Sequence, residues 1–117
     1  MRIIAGAARG TKLQTASVPA LRPMLDRVKE ALFNIIRADV PGARVLDLFS
    51  GSGALGLEAL SRGAAGCVFV ERDPALAELA MRNAARCKAA DRCEMVVADF
   101  FELGRRAAPA AARGKLE

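Results

Sequence analysis

The chain has 117 residues, of which 53% are hydrophobic and 26% charged, with a formal net charge of +5. That length and composition fit one small folded domain and exclude a disordered chain. No run of about 18 uncharged apolar residues occurs, which argues against a membrane span, and the Arg- and Gly-broken start MRIIAGAARGTK is not a signal peptide, so a cytoplasmic protein is expected.

Arg2 to Leu13 reads as two short strands around Gly6 to Gly10, a small hairpin. Arg2, Arg9, Lys12 and Arg22 fall in the first 25 residues, which contain no acid. A basic leading arm suits a nucleic-acid partner, because each neutralised phosphate releases counterions. A solvated basic surface fits the same charges. Gln14 to Pro23 reads as a loop, and Asp26 as the N-cap of a helix. Val28, Leu32, Ile35 and Ile36 follow at helical spacing, which predicts an inward apolar face with Lys29, Glu30 and Arg37 outside. Pro41-Gly42 ends that helix.

Arg44 to Phe49 fits a buried parallel strand with one acid, Asp47. The glycine-rich turn Ser50 to Gly53 and a helix from Ala54 to Arg62 come next. Gly66 to Glu71 reads as a second buried strand. Asp73-Pro74 is a helix start, cap then proline, and the helix runs to about Cys87. Cys93 to Ala98 reads as a third strand ending at Asp99. The tail beyond Leu103 is weakly patterned, helix or coil. Strands alternating with helices predict an α/β fold around a parallel sheet. Cys67, Cys87 and Cys93 form no C-x-x-C pair, and the chain has no histidine. Neither a metal site nor a disulfide framework is expected, and histidine-dependent nucleophilic catalysis is excluded.

Gly51, Gly53 and Gly56 spell G-x-G-x-x-G between a strand and a helix. Such a turn lets a ligand approach bare backbone at a helix N-terminus, and alone it fits a dinucleotide or S-adenosylmethionine. The neighbouring acids discriminate. Asp47 would repel a pyrophosphate but attract the ammonium of a methionine moiety. Glu71 can accept ribose hydroxyls in either class, and Asp99 can take the adenine amine. The three acids end three successive strands, where open α/β sheets bind ligands.

The run DLFSGSGALGLEALSRGA, together with the opening MRIIAG, RG, LRP and DRVKEALFN, closely resembles the bacterial family that methylates a guanine N2 amine of 16S ribosomal RNA. The resemblance reaches from Met1 to about Phe101; Met24 stands where the family commonly has threonine. It implies a partial Rossmann-like class I methyltransferase fold, parallel β-α-β-α-β, preceded by an N-terminal β-hairpin and helix. Residues 1–40 would face RNA and cover the cofactor, and 41–117 would form the cofactor-binding half. S-adenosyl-L-methionine would be held by Asp47, Gly51, Gly53, Glu71 and Asp99, with the adjoining Phe49, Ser50, Ser52, Arg72 and Phe100. The arm residues Arg2, Arg9 and Lys12 would meet RNA, and Arg22, Asp26 and Arg27 belong to the block that closes over the cofactor and faces it. The partner would be 16S ribosomal RNA or the small ribosomal subunit, and the full-length protein a monomer.

The family's catalytic element is an Asp/Asn-Pro-Pro-aromatic motif after the fourth strand. No Pro-Pro occurs here. The chain is therefore expected to be an N-terminal portion with no catalytic residue of its own and little turnover alone. Competing readings are a class I methyltransferase with another substrate, a non-catalytic cofactor- or RNA-binding module, and a dinucleotide oxidoreductase.

Overall fold

The computed structural model describes residues 1–15 and 22–110. In chain order the elements are α1 (Arg22–Ile35), β1 (Arg44–Asp47), α2 (Ala54–Ser61), β2 (Gly66–Glu71), α3 (Pro74–Arg86), β3 (Cys93–Val97) and α4 (Phe100–Ala110), with single 3-10 turns at Arg37–Asp39 and Ala90–Arg92. The strands form a parallel sheet in the order β1-β2-β3. This is the α/β alternation expected from the sequence.

Residues 1–13 fold back on themselves with one antiparallel bridge, Arg2 to Lys12. Ile3 N–H donates to Thr11 O at 2.9 Å and Leu13 N–H to Met1 O at 2.9 Å. The arm is thus hairpin-like but forms no extended strand. Its tip is set by Gly6, where φ is +87° and a Cβ would lie 1.9 Å from the Ser61 carbonyl oxygen.

Helix α1 departs from expectation twice. It already runs through Arg22, so Asp26 lies inside it and is not its cap. Pro23 falls in the first turn, where a missing N–H breaks no helical bond. The part of the expected loop at residues 16–21 lies outside the described residues. Its inward face is also not the apolar stripe. Val28 is 61%, Leu32 39% and Ile35 81% exposed, whereas Lys29 and Phe33 are buried. The cause is a tertiary partner: Lys29 Nζ lies 3.1 Å from Glu58 Oε1 and donates to Arg2 O at 2.7 Å. A buried ammonium is tolerated only where it is paired and hydrogen-bonded in this way.

Among the described residues β1 is an edge strand, exposed at Arg44 and Leu46, not a strand buried on both sides. Side chains alternate between faces of a strand. Asp47 is the register partner of Phe69, and Leu46, 60% exposed, the partner of Val68. Helix α2 packs on β1 and β2, and α3 on β2 and β3. The core between them holds Leu57, Leu60, Phe69, Ala80 and Ala84, joined by Ile3 from the arm. Asp73 caps α3 as expected, its Oδ1 accepting from Ala75 N–H at 2.9 Å with Pro74 next. Asp99 does the same for α4, accepting from Phe101 N–H at 2.8 Å, so the tail beyond Leu103 is helical to Ala110.

All three thiols are free. Burial first, and nearby acidic groups after it, push Cys67 up to about 12; burial likewise lifts Cys93 to about 11. Both are poor nucleophiles at neutral pH. No helix among the described residues is long and apolar enough to cross a membrane.

Candidate functional site

The glycine turn lies at the carboxyl end of β1. Gly51 and Gly53 both have positive φ, +51° and +85°. A Cβ on Gly51 would meet nothing within 4 Å, so the backbone there is open to a ligand. Gly53 N–H donates to Ser50 O at 2.7 Å, which closes the turn, and α2 begins at Ala54.

Glu71 braces this turn. Its Oε1 accepts from Gly51 N–H at 2.9 Å and its Oε2 from Asp73 N–H at 2.9 Å. One carboxylate therefore spans the end of β2, the glycine turn and the start of α3. A carboxylate has about four acceptor positions, so both oxygens keep capacity for a hydroxyl.

A cavity of about 310 Å³ opens beside it, lined by Leu48, Phe49, Val70, Glu71, Arg72, Ala98, Asp99, Phe100 and Phe101. Phe49 and Phe100 meet edge to face with centroids 5.3 Å apart, and Phe101 lies 5.4 Å from Phe100. Phe49 and Phe101 are 67% and 70% exposed. Three aromatic rings left partly open to solvent, with two carboxylates beside them, form a surface suited to a flat, amine-bearing ring.

Asp47 sits apart from that group. It lines a neighbouring, more apolar cavity of about 520 Å³ with Leu32, Phe33, Val40, Leu55 and others. Its Oδ2 is buried with no hydrogen-bond partner among the described residues. Burial raises its pKa above the ordinary 3.8; the Gly56 and Phe49 backbone N–H groups oppose the shift, and the Glu71 charge adds to it. The Ser50 hydroxyl is likewise buried without a partner among the described residues. A buried polar atom left without a partner is costly, and calls for a ligand or water to complete it. An ammonium group is the complement of Asp47.

Of the residues singled out from sequence, the structure thus brings Phe49, Glu71, Arg72, Asp99 and Phe100 into one cavity and stacks Ser50, Gly51, Ser52 and Gly53 beside it. Asp47 is next door on the face toward α2. Phe101, Leu48, Val70 and Ala98 complete the cavity without having been singled out. A second phenylalanine after an acidic strand end was the available signal for Phe101. Arg2, Arg9, Lys12 and Arg27 are all exposed, as a polyanion-binding role needs. Arg22 begins α1, but its side chain lies outside what is described. No cluster of His, Cys, Asp and Glu among the described residues could hold a metal ion.

Comparison with known proteins gives a consistent context. Residues 1–113 match the family described as conserved hypothetical protein 95. Ribosomal RNA small subunit methyltransferase D of Escherichia coli is 51% identical over 89 residues, covering 76% of this chain and 45% of that protein. A putative rRNA methyltransferase of Bacillus subtilis is 51% identical over 73 residues, covering 62% of this chain and 40% of that protein. The chain thus spans about half the length of the curated relatives it matches. Among solved structures, a putative methyltransferase of Escherichia coli superposes with a TM-score of 0.77 at 42% identity, over 88% of this chain and 55% of that one. An RNA methyltransferase of Salinibacter ruber in complex with S-adenosyl-L-homocysteine superposes with a TM-score of 0.55 at 35% identity, over 73% of this chain and 52% of that one.

Proposed function

The chain belongs to the conserved hypothetical protein 95 family, and from that premise we propose that it forms the S-adenosylmethionine-binding part of an enzyme that methylates a guanine N2 amine in 16S ribosomal RNA. The observation that carries the cofactor assignment is the unpartnered, buried Asp47 Oδ2 beside an open glycine turn. The relatives named as rRNA methyltransferases, and the neighbouring structure in complex with S-adenosyl-L-homocysteine, support the same reading.

Bound S-adenosylmethionine would supply an electrophilic methyl group on a sulfonium. The residues of this chain bind and orient. Asp47 accepts the ammonium of the methionine end. Glu71 holds Gly51 N–H and accepts the ribose hydroxyls with its remaining lone pairs. Asp99 uses Oδ1 to cap α4 and offers its other oxygen to the adenine amine. Phe49, Phe100 and Phe101 wall the base. Positioning of this kind dominates a direct displacement, because holding both partners in line replaces a costly bimolecular encounter. Residues 41–117 form the cofactor half. Residues 1–40 face the RNA, with Arg2, Arg9, Lys12, Arg22 and Arg27 as phosphate contacts, and no residue here is assigned a proton transfer.

Titration by calorimetry tests the reading. S-adenosylhomocysteine is expected to bind and NAD is not. Asp47→Ala and Glu71→Ala should each weaken binding by about 1–3 kcal/mol, the usual worth of a charged hydrogen bond. Affinity should fall on acidification before an ordinary aspartate would protonate, because burial holds Asp47 above its usual value. Binding of NAD in place of the homocysteine compound would reverse the assignment. For the RNA face, the slope of log affinity for a 16S RNA fragment against log salt should drop by about 1 for each of Arg2, Arg9 and Arg27 neutralised. An unchanged slope would return those residues to a solvated surface.

A further inference from the structure

Asn83 lies on α3 and is 0% exposed. Its Oδ1 accepts from Gln14 N–H at 2.8 Å. Its Nδ2 donates to Gln14 O at 2.8 Å and to Ser52 O at 2.9 Å. Both donors of the amide and one acceptor are therefore used. The partners are 69 and 31 residues away in sequence. One belongs to the basic arm and the other is the middle residue of the glycine turn.

The Ser52 carbonyl and the Gly53 N–H are two ends of one peptide plane. Asn83 holds the oxygen, and Ser50 O holds the N–H at 2.7 Å. The tilt of that plane decides how the turn presents itself between two residues of positive φ. Ala80, one helical turn before Asn83, backs the same place: a Cβ on Gly53 would lie 3.3 Å from Ala80 Cβ. Arg86, three residues after Asn83, donates to Lys12 O at 3.1 Å, a second tie from α3 to the arm.

We infer that Asn83 is a positioning residue that makes the arm and the glycine turn one mechanical unit, so that a ligand held by the turn and RNA held by the arm are bound cooperatively. The second clause rests on the proposed function; the first does not. If one amide fixes both segments, loosening the arm must loosen the turn, and a ligand that fixes the turn must steady the arm. Coupling of this kind is reciprocal by thermodynamic necessity.

Amide hydrogen exchange followed by NMR on the full chain tests it. Gln14→Pro removes the N–H that Asn83 accepts, leaves Asn83 itself intact and lies at an exposed position. Asn83→Asp keeps the acceptor but turns an oxygen toward the Gln14 and Ser52 carbonyls. Gln14→Pro, which loses one ordinary hydrogen bond, is expected to speed exchange at Gly53 about tenfold, and Asn83→Asp, which loses both amide donors, by at least as much, while Phe69 and Val70 in the core keep their rates. The double variant should be no faster at Gly53 than Asn83→Asp alone. Unchanged exchange at Gly53 in Gln14→Pro overturns the inference, as does a speed-up shared equally by Phe69, which would mark a general loss of stability. Should Asn83→Asp not fold, Gln14→Pro decides alone. Adding S-adenosylhomocysteine should slow exchange at Leu13 in the unaltered chain and not in Asn83→Asp. Failure of that compound to bind the unaltered chain would count against the cofactor reading only, since the Gly53 and Phe69 comparison is made without ligand.

Discussion

Glu58→Ala is expected to destabilise the fold by about 3–5 kcal/mol, the usual cost of removing one partner from a buried ion pair. Against a total stability of about 5–15 kcal/mol for a domain, that is a large fraction. Glu58 is fully buried on α2 and serves four groups. Its Oε1 accepts from Ile4 N–H at 2.9 Å and lies 3.1 Å from Lys29 Nζ. Its Oε2 accepts from Ala5 N–H at 3.1 Å and from Arg62 Nε at 2.8 Å. Alanine would leave the Lys29 ammonium in the interior with no counter-charge and two arm N–H groups without acceptors. Glu58→Gln should recover only part of the loss, because the charge is still missing. The double change Glu58→Leu with Lys29→Met should also recover part of the loss, since it removes both buried charges together, while the Ile4 and Ala5 N–H groups and Arg62 still lack their acceptor. Urea unfolding midpoints measure all of these; a Glu58→Ala midpoint close to the unaltered one would refute the assignment.

The same pair sets an acid dependence. Burial alone would raise the Glu58 pKa, but the Ile4 N–H, Arg62 and Lys29 outweigh it and hold the carboxyl below its ordinary 4.5. A pKa lowered on folding means that the stabilisation is complete at neutral pH. It is lost as pH drops below the ordinary value toward the lowered one. The unfolding midpoint should therefore fall more steeply with acid in the unaltered chain than in the Leu/Met double variant.

Gly56→Ala should be the second large effect, about 1–3 kcal/mol from overpacking alone. A Cβ at Gly56 would sit 2.3 Å from Phe69 Cε1 and 2.7 Å from Cys67 Sγ. Phe69 is 0% exposed, so its ring has no free space to enter. Helix α2 must then move off the sheet, and its N-terminus carries the glycine turn with it. Affinity for S-adenosylhomocysteine should drop along with stability. Gly51→Ala separates the two effects: with φ at +51° and no atom near its Cβ, it costs only backbone strain, roughly 1–2 kcal/mol, while its methyl group stands where the ligand would approach. A Gly56→Ala protein with an unaltered midpoint would show that the contact between α2 and β2 is not tight.

The parts of the fold that could be read from sequence are those decided locally. Asp73-Pro74 announces α3 because a cap and a proline act within one turn. The strand Gly66–Glu71 and the glycine turn are contiguous signals. The inward face of α1 was hidden because a lysine, Lys29, occupies it, and the acid that permits this lies 29 residues further on. Asn83 carries no periodic signal: one amide within a helix looks like any solvent-facing residue until Gln14 and Ser52 are brought to it. Glu71 and Asp99 were legible as strand-end acids and share a cavity. Asp47 was legible on the same grounds, yet it lines the neighbouring cavity with residues of α1 and α2; it shares the sheet face of Phe69 and Glu71, and its place level with Phe69, two residues short of Glu71 along the strand, separates the two acids.

The first 14 residues hold their places through Glu58, Ser61, Asn83 and Arg86. During synthesis these anchors leave the ribosome long after the arm does. Arg86 follows Lys12 by 74 residues, which at the usual elongation rate is about 4–15 s. Residues 1–14 are thus among the last to find their seat, and for those seconds their acid-free basic stretch travels unpaired beside the RNA-rich surface that is producing it.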